Sequence, residues 1–271
     1  MNLGYIIDQW KISNDLIKES YKRAWDSVAC DYAYDENLDL EKKAFLDFMQ
    51  SKAKLNKDIN VLDVGCGGGG AYSIALASKV KNVVGVDFSP KMIELANDTK
   101  KRMNITNAEF IECDWHNCDG EKYKGKYDLV FAHTTPAIAD YDTFLKMMEA
   151  SRKYCFYSKH TGFTDEIYDD LCSMVGIEKK ERIDTTPYIF TAIWEHGYKP
   201  EINYEDVAWN SKRPIDEATN WYLGILNSSK ELTEKEEQQV IEYINKISED
   251  GYIKSTKNTT IVSFFWEVNN G

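Results

Sequence analysis

Apolar residues recur at helical spacing through the first part of the chain and then gather into short, nearly continuous runs. Across residues 12–55, Leu16, Tyr21, Trp25 and Val28, then Leu40, Ala44, Phe45, Phe48 and Met49, alternate with charged positions and predict two amphipathic helices. Val61, Leu62 and Val64 form a buried-type strand that breaks at Gly65, and Ala71 to Ser78 resumes a helical period. Asn82 to Val86, Ala108 to Glu112, Tyr127 to Ala132 and Lys153 to Ser158 read as further strands. Ser89-Pro90 opens a helix with an N-cap serine followed by a proline in the first turn, and Asp142 to Ser151 supplies another. Strands alternating with helices imply an α/β chain built on a doubly wound, mainly parallel sheet.

Beyond residue 160 the helical pattern dominates, at Asp165 to Val175, Tyr188 to His196, Asp216 to Leu226 and Glu234 to Ser248. A strand is expected at Glu201 to Trp209. The chain is expected to close with an antiparallel hairpin, Tyr252 to Lys257 against Thr259 to Val268, the second arm rich in Val, Phe and Trp.

Charge and cysteine usage narrow the classes of partner. The 271 residues carry 33 basic and 45 acidic side chains, a net charge of −12, so the long-range field repels phosphate backbones and no nucleic-acid partner is expected. No apolar run approaches membrane-spanning length, and Met1 to Ser20 is broken by Asp8, Lys11, Asp15 and Lys18, so neither signal peptide nor membrane anchor is expected. The 6 cysteines are scattered, which suits reduced thiols in a cytoplasmic protein. Cys113 and Cys118 are the only close pair, at a poor ligand spacing, and no metal site is expected.

The glycine run Gly65-Cys66-Gly67-Gly68-Gly69-Gly70 carries the first chemical signal. A strand breaking into glycines before a helix lets a ligand approach the backbone and the free N–H groups of the helix start. Gly65, Gly67 and Gly70 also satisfy the dinucleotide pattern G-x-G-x-x-G, and a plain strand-to-helix turn needs no more. Three aspartates then follow successive strands, Asp63 in the first, Asp87 after the second and Asp114 after the third. In an open parallel sheet such side chains face the crevice beyond the carboxyl ends of the strands, where Asp87 can accept both hydroxyls of a ribose.

Asp63-x-Gly65-x-Gly67, Gly85-Val86-Asp87-Phe88-Ser89-Pro90-Lys91-Met92-Ile93, Glu109-Phe110-Ile111-Glu112-Cys113-Asp114-Trp115 and Tyr127-Asp128-Leu129-Val130 together resemble the successive motifs of class I S-adenosylmethionine-dependent methyltransferases. The resemblance spans roughly residues 55–160. It implies a Rossmann-like core over 56–160 that binds S-adenosylmethionine and releases S-adenosylhomocysteine, an N-terminal helical lid over 1–55, and a C-terminal part of the same domain over 161–271 whose helical insertions cap the substrate. Carried over by position, Asp63 helps hold the cofactor's amino group and the backbone from Gly65 through Cys66 to Gly67 approaches its aminoacyl part. Asp87 takes the ribose hydroxyls, Asp114 the adenine amino group, and the Trp115 N–H a ring nitrogen, with Phe88 and Met92 on the adenine faces. Asp87 and Asp114 also read as caps, and Phe88 and Met92 as core.

Methyl transfer from a sulfonium is an in-line displacement, so position and exclusion of water do much of the work, and a base is needed only for hydroxyl or ammonium acceptors. His133, just past the fourth strand, is the candidate base or orienting group, and a histidine hydrogen-bonded to backbone beside the cofactor is its plainer reading. His160, Tyr21, Trp25 and Trp209 are the candidate substrate residues. The sequence Phe131-Ala132-His133-Thr134-Thr135-Pro136 lacks the Asn/Asp-Pro-Pro-aromatic motif frequent in amino-methylating DNA and protein enzymes, so a small-molecule acceptor is expected. The alternatives are a non-catalytic cofactor-binding module or sensor and, less favoured, a nicotinamide oxidoreductase. A monomer or a homodimer is expected.

Overall fold

The computed structural model describes residues 2–11, 19–32, 40–162, 164–178 and 184–268. Leu16 therefore lies outside the described residues. The N-terminal part holds α1 (Leu3–Gln9), α2 (Glu19–Ser27), a short 3-10 helix (Ala29–Tyr32) and α3 (Leu40–Lys52). The core follows as β1 (Asn60–Val64), α4 (Ala71–Ala77), β2 (Asn82–Asp87), α5 (Pro90–Arg102), β3 (Ala108–Glu112), β4 (Tyr127–His133), α6 (Tyr141–Ala150) and β5 (Ser151–Thr161). Then come α7 (Glu166–Met174), α8 (Thr186–Glu195), β6 (Glu201–Pro214), α9 (Ile215–Ser229), α10 (Glu234–Ile247) and β7 (Tyr252–Glu267).

The seven strands form one sheet in the order β3-β2-β1-β4-β5-β7-β6. The first five are parallel, and β7 and β6 add antiparallel to β5. Strands buried on both faces read as continuous apolar runs, which is why β1 and β4 were visible in the pattern, whereas the edge strand β3 alternates buried and exposed positions. Strand order reverses between β1 and β4, so the crevice beyond their carboxyl ends is the natural ligand position. One face packs Trp10, Phe144, Tyr157 and Trp266, and the other Phe45, Phe131, Phe156 and Phe265.

Local signals fix the helix starts. Ser89 caps α5 by accepting the Met92 N–H, Asp140 and Thr143 close a reciprocal capping box on α6, and Asp165 caps α7. The basic end of α5, Lys100, Lys101 and Arg102, meets the negative end of that helix dipole.

Three expectations differ from the structure. The short helix α1, capped by Asn2, buries Ile6 and Trp10, a pattern too brief for periodicity to register. β6 runs on past Trp209 to Pro214. Tyr252 to Val268 is no hairpin: β7 is one strand of 16 residues, paired with β6 from Tyr252 to Phe265 and with β5 from Thr260 to Glu267. Between Lys257 and Thr259 there is only Asn258, too little for a hairpin turn, and the neighbours that satisfy β7 come from elsewhere in the chain. The free half of the β6–β7 ribbon carries a third apolar cluster, in which α7, α9 and α10 bury Leu171, Tyr222, Leu226, Val240, Ile244 and Ile253.

Candidate functional site

At the end of β1 the chain turns through the glycines into α4. The Gly65 and Cys66 N–H groups both donate to the Val86 carbonyl, at 2.8 and 3.0 Å, which pins the turn to β2. Gly65 has φ of 78°, and a Cβ there would lie 1.9 Å from the Thr135 hydroxyl, which arrives from the loop after β4. Gly67 has φ of 67° and a Cβ there would meet nothing within 4 Å, so its backbone faces open space.

Asp63 is 2% exposed and faces α4, where the Ser73 hydroxyl donates to it at 2.8 Å. Burial pushes its carboxyl up to about 7 against that hydrogen bond, and the charge of Asp87 adds to the rise. Asp87, at the end of β2, accepts the Gly67 N–H and the Ser89 N–H, one on each oxygen and each at 3.0 Å. Its carboxyl is also pushed up, to about 6, by burial against these bonds, with Asp26 of α2 contributing. Cys66 sits close enough to both carboxylates to feel their charge, and burial above all pushes its thiol up. It is a protonated packing group, not a nucleophile.

The structure thus brings Asp63, Cys66, Gly65, Gly67 and Asp87 together. Met92 is buried beside Gly68, and Phe88 is partly exposed next to Asp87. Asp114 is exposed, and its carboxylate accepts the His116 N–H at 3.0 Å and the Asn117 amide at 2.7 Å, a local turn. Trp115 is buried, and its indole N–H donates to the Thr143 carbonyl at 3.1 Å.

His133 ends β4 in an aromatic slot, stacked on Phe45 with ring centroids 4.1 Å apart and met edge-on by Tyr72 at 4.8 Å. Register carries that face outward. His133 lies opposite Ser158, Ser158 opposite Ser263, His160 opposite Ile261, and Trp209 opposite Lys257, so alternation puts His133, His160, Trp209 and Lys257 on one face of the sheet. His160 meets Trp209 edge-on at 6.1 Å. Tyr21 and Trp25 pack together on α2, and Trp25 meets Trp221 of α9 at 5.4 Å. The Trp221 ring in turn lies 5.7 Å from the Lys257 ammonium. The four candidate substrate residues therefore lie along one wall from the end of β4 to the helical cap.

Several groups here had no signal of their own in the sequence. The α2 helix crosses the strand ends: Asp26 accepts the Ser89 hydroxyl, and Lys22 pairs with Glu112 at 3.5 Å. Behind it, the Ala29 carbonyl oxygen would stand 2.8 Å from a Cβ on Gly68. Thr135, Phe45 and Tyr72 reach the site from separate elements, whereas Trp221 is one of the aromatics that the cap segments carry in the sequence. Ser73 is the exception, since a serine inside the otherwise apolar helix Ala71-Tyr72-Ser73-Ile74-Ala75-Leu76-Ala77 marks the face turned to Asp63.

Residues 55–180 match the model of a methyltransferase domain family. The release factor glutamine methyltransferase of Buchnera aphidicola is 27% identical over 159 residues, which cover 56% of this chain and 52% of that protein. The cyclopropane-fatty-acyl-phospholipid synthase of Escherichia coli K12 is 24% identical over 199 residues, covering 72% of this chain and 46% of that protein. The chain spans about half, or less, of the length of these relatives. Among solved structures, a phosphoethanolamine N-methyltransferase 2 from Haemonchus contortus, in complex with phosphomonomethylethanolamine and S-adenosylhomocysteine, superposes with a TM-score of 0.54 at 16% identity, covering 95% of this chain and 59% of that one.

Proposed function

We propose that this protein, whose residues 55–180 match a methyltransferase domain family, is a class I S-adenosylmethionine-dependent methyltransferase that acts on a small-molecule acceptor. The observation that carries the reading is the pair of buried carboxylates, Asp63 and Asp87, beside a glycine backbone that faces open space. Burial lifts both carboxyls, so the site gains most from a ligand that brings positive charge, and S-adenosylmethionine carries a sulfonium and an ammonium. The donor set fits that cofactor better than a pyrophosphate, whose charge both aspartates would oppose.

The cofactor, when bound, supplies an activated methyl group. The chain's own residues bind and orient. Asp87 accepts ribose hydroxyls in addition to the Gly67 N–H, Asp63 anchors the ammonium end through its surroundings, and the backbone at Gly65 to Gly67 approaches the aminoacyl part. Asp114, already engaged in its turn, keeps lone pairs for an adenine amino group. The Trp115 side chain serves packing, which leaves its backbone N–H for the ring. His133 closes the site at the end of β4, where it orients the acceptor or takes a proton from it. The wall from His133 through His160 and Trp209 to Trp25 and Tyr21 encloses the acceptor, and exclusion of water there favours in-line displacement.

The net charge of −12 supports a small molecule over nucleic acid, and His133-Thr134-Thr135-Pro136 stands where an amide-methylating enzyme carries a Pro-Pro pair. The free thiols Cys66, Cys113, Cys118, Cys155 and Cys172 support a reducing, cytoplasmic setting, and no described helix is long and apolar enough to cross a membrane. Incubation with methyl-labelled S-adenosylmethionine and fractionated metabolite pools tests the reading. Acceptor-dependent release of S-adenosylhomocysteine is expected, and tight binding without turnover across all pools would turn it into a non-catalytic binding module.

A further inference from the structure

β6 is the terminal strand of the sheet. It pairs with β7 over all 14 of its residues without a bulge, and among the described residues no strand lies on its other side. An edge of that length presents a row of backbone N–H and C=O groups, the template on which another strand adds.

The charges along this strand are sorted by sign. Glu201, Glu205 and Asp206 occupy the first part, and Lys212 and Arg213 the last. A parallel copy of the strand would set like charge against like, whereas an antiparallel copy sets acid against base. The interaction is thus favourable in one direction only, as a closed two-fold contact requires.

We propose that β6 pairs antiparallel with β6 of a second copy of this chain, with the two-fold axis at Trp209. In this register Asp206 lies opposite Lys212 of the second copy and Glu205 opposite Arg213, and symmetry makes each pairing twice. The register is selective. A slide of two residues, the smallest that keeps each side chain on its own face, sets Asp206 against Asn210 or Pro214 and loses both pairings.

Asp206 and Lys212 are already held on the exposed face. Asp206 accepts the Thr260 hydroxyl at 2.6 Å, and the Lys212 ammonium lies 4.2 Å from the centre of the Tyr252 ring. Both contacts run to β7, so they fix the side chains without covering the free edge. Trp209, on the opposite face, meets His160, and the second copy's Trp209 would extend that wall beside the candidate acceptor site. The inference concerns a surface outside the cofactor crevice and stands apart from the proposed reaction.

Sedimentation velocity on the full chain, from micromolar to submillimolar, tests it. A reversible dimer is expected. Asp206→Lys and Lys212→Asp should each raise its dissociation constant by about tenfold or more, since each turns two attractions into two repulsions. The exchange Asp206→Lys with Lys212→Asp should restore it to within about threefold. Circular dichroism on each variant separates a lost interface from a lost fold. A wild-type chain that stays monomeric throughout, or a dimer indifferent to both single changes, overturns the proposal. So does a dimer weakened by both that the exchange fails to restore.

Discussion

The carboxylate of Asp87 accepts the backbone N–H of Gly67 across 3.0 Å, so the end of one strand fixes the turn that follows its neighbour. Its other oxygen takes the Ser89 N–H, which leaves the lone pairs that point outward for a ligand. Asp87→Ala should weaken binding of both S-adenosylmethionine and S-adenosylhomocysteine by about 2–4 kcal/mol, because the ribose is common to the two. Titration calorimetry reads the change. Lower thermal stability with unchanged affinity would reduce Asp87 to a cap.

Gly65 is tied to Thr135 by space alone. Gly65→Ala should cost about 2–4 kcal/mol, part from the left-handed backbone and part from the overlap with Thr135. Combined with Thr135→Gly, the overlap vanishes and the backbone part of about 1 kcal/mol persists. Urea denaturation of the four members of this cycle should return a coupling of about 1–3 kcal/mol, and additive losses would deny the contact.

Asp63 makes stability and binding respond to pH in opposite directions. In the folded chain its carboxyl holds a proton up to about pH 7, and in the unfolded chain it releases it near 4, so the folded state binds more protons between these values. Stability without cofactor should therefore fall as pH rises from about 4 to about 7. Asp63→Asn, which keeps an acceptor for Ser73, should remove Asp63's share of this decline, leave the part below about pH 6 that Asp87 contributes, and stabilise the chain at pH 8 by roughly 1–3 kcal/mol. Affinity for the cationic cofactor should rise over the same interval. Parallel denaturation curves for the two proteins at pH 5 and pH 8 would remove the effect from Asp63.

His133 and Phe45 form a stacked pair that can be kept while the imidazole is removed. His133→Phe should fold, bind cofactor within about threefold of wild type and lose transfer rate by at least about tenfold. His133→Ala should in addition lose about 2–4 kcal/mol of stability, since it leaves a cavity between Phe45 and Tyr72. Full turnover in His133→Phe would make the residue a packing group.

Trp221→Ala removes the edge contact to Trp25 that closes the cap. The acceptor KM should rise about tenfold while cofactor affinity stays within about threefold if Trp221 belongs, as proposed, to the acceptor wall. An equal loss in both constants would mean that the cap serves the cofactor.

What the sequence disclosed and what it hid divide along a physical line. Gly65, Gly67 and Asp87 were legible because the demands on them are local: a left-handed backbone at a turn, and a carboxylate where a strand ends. The central parallel strands β1 and β4 showed themselves as apolar runs. β7 was misread as two arms because apolarity marks a strand without naming its partner, and the partners of Tyr252 to Glu267 are set by sheet order. Thr135 and Asp26 were invisible in the same way. Each is ordinary in its own segment and acquires a role only through what the fold brings against it.

The sheet order also sets a schedule for synthesis. β5 borders β4 on one side and β7 on the other, and β7 follows the other six described strands in the chain. Until it is made, the run Tyr154-Cys155-Phe156-Tyr157 stands as an open apolar edge on an otherwise assembled core, and β6, although already made, has no neighbour to join. A chain cut short before residue 252 would therefore leave that one edge open, and β7 is the element that covers it.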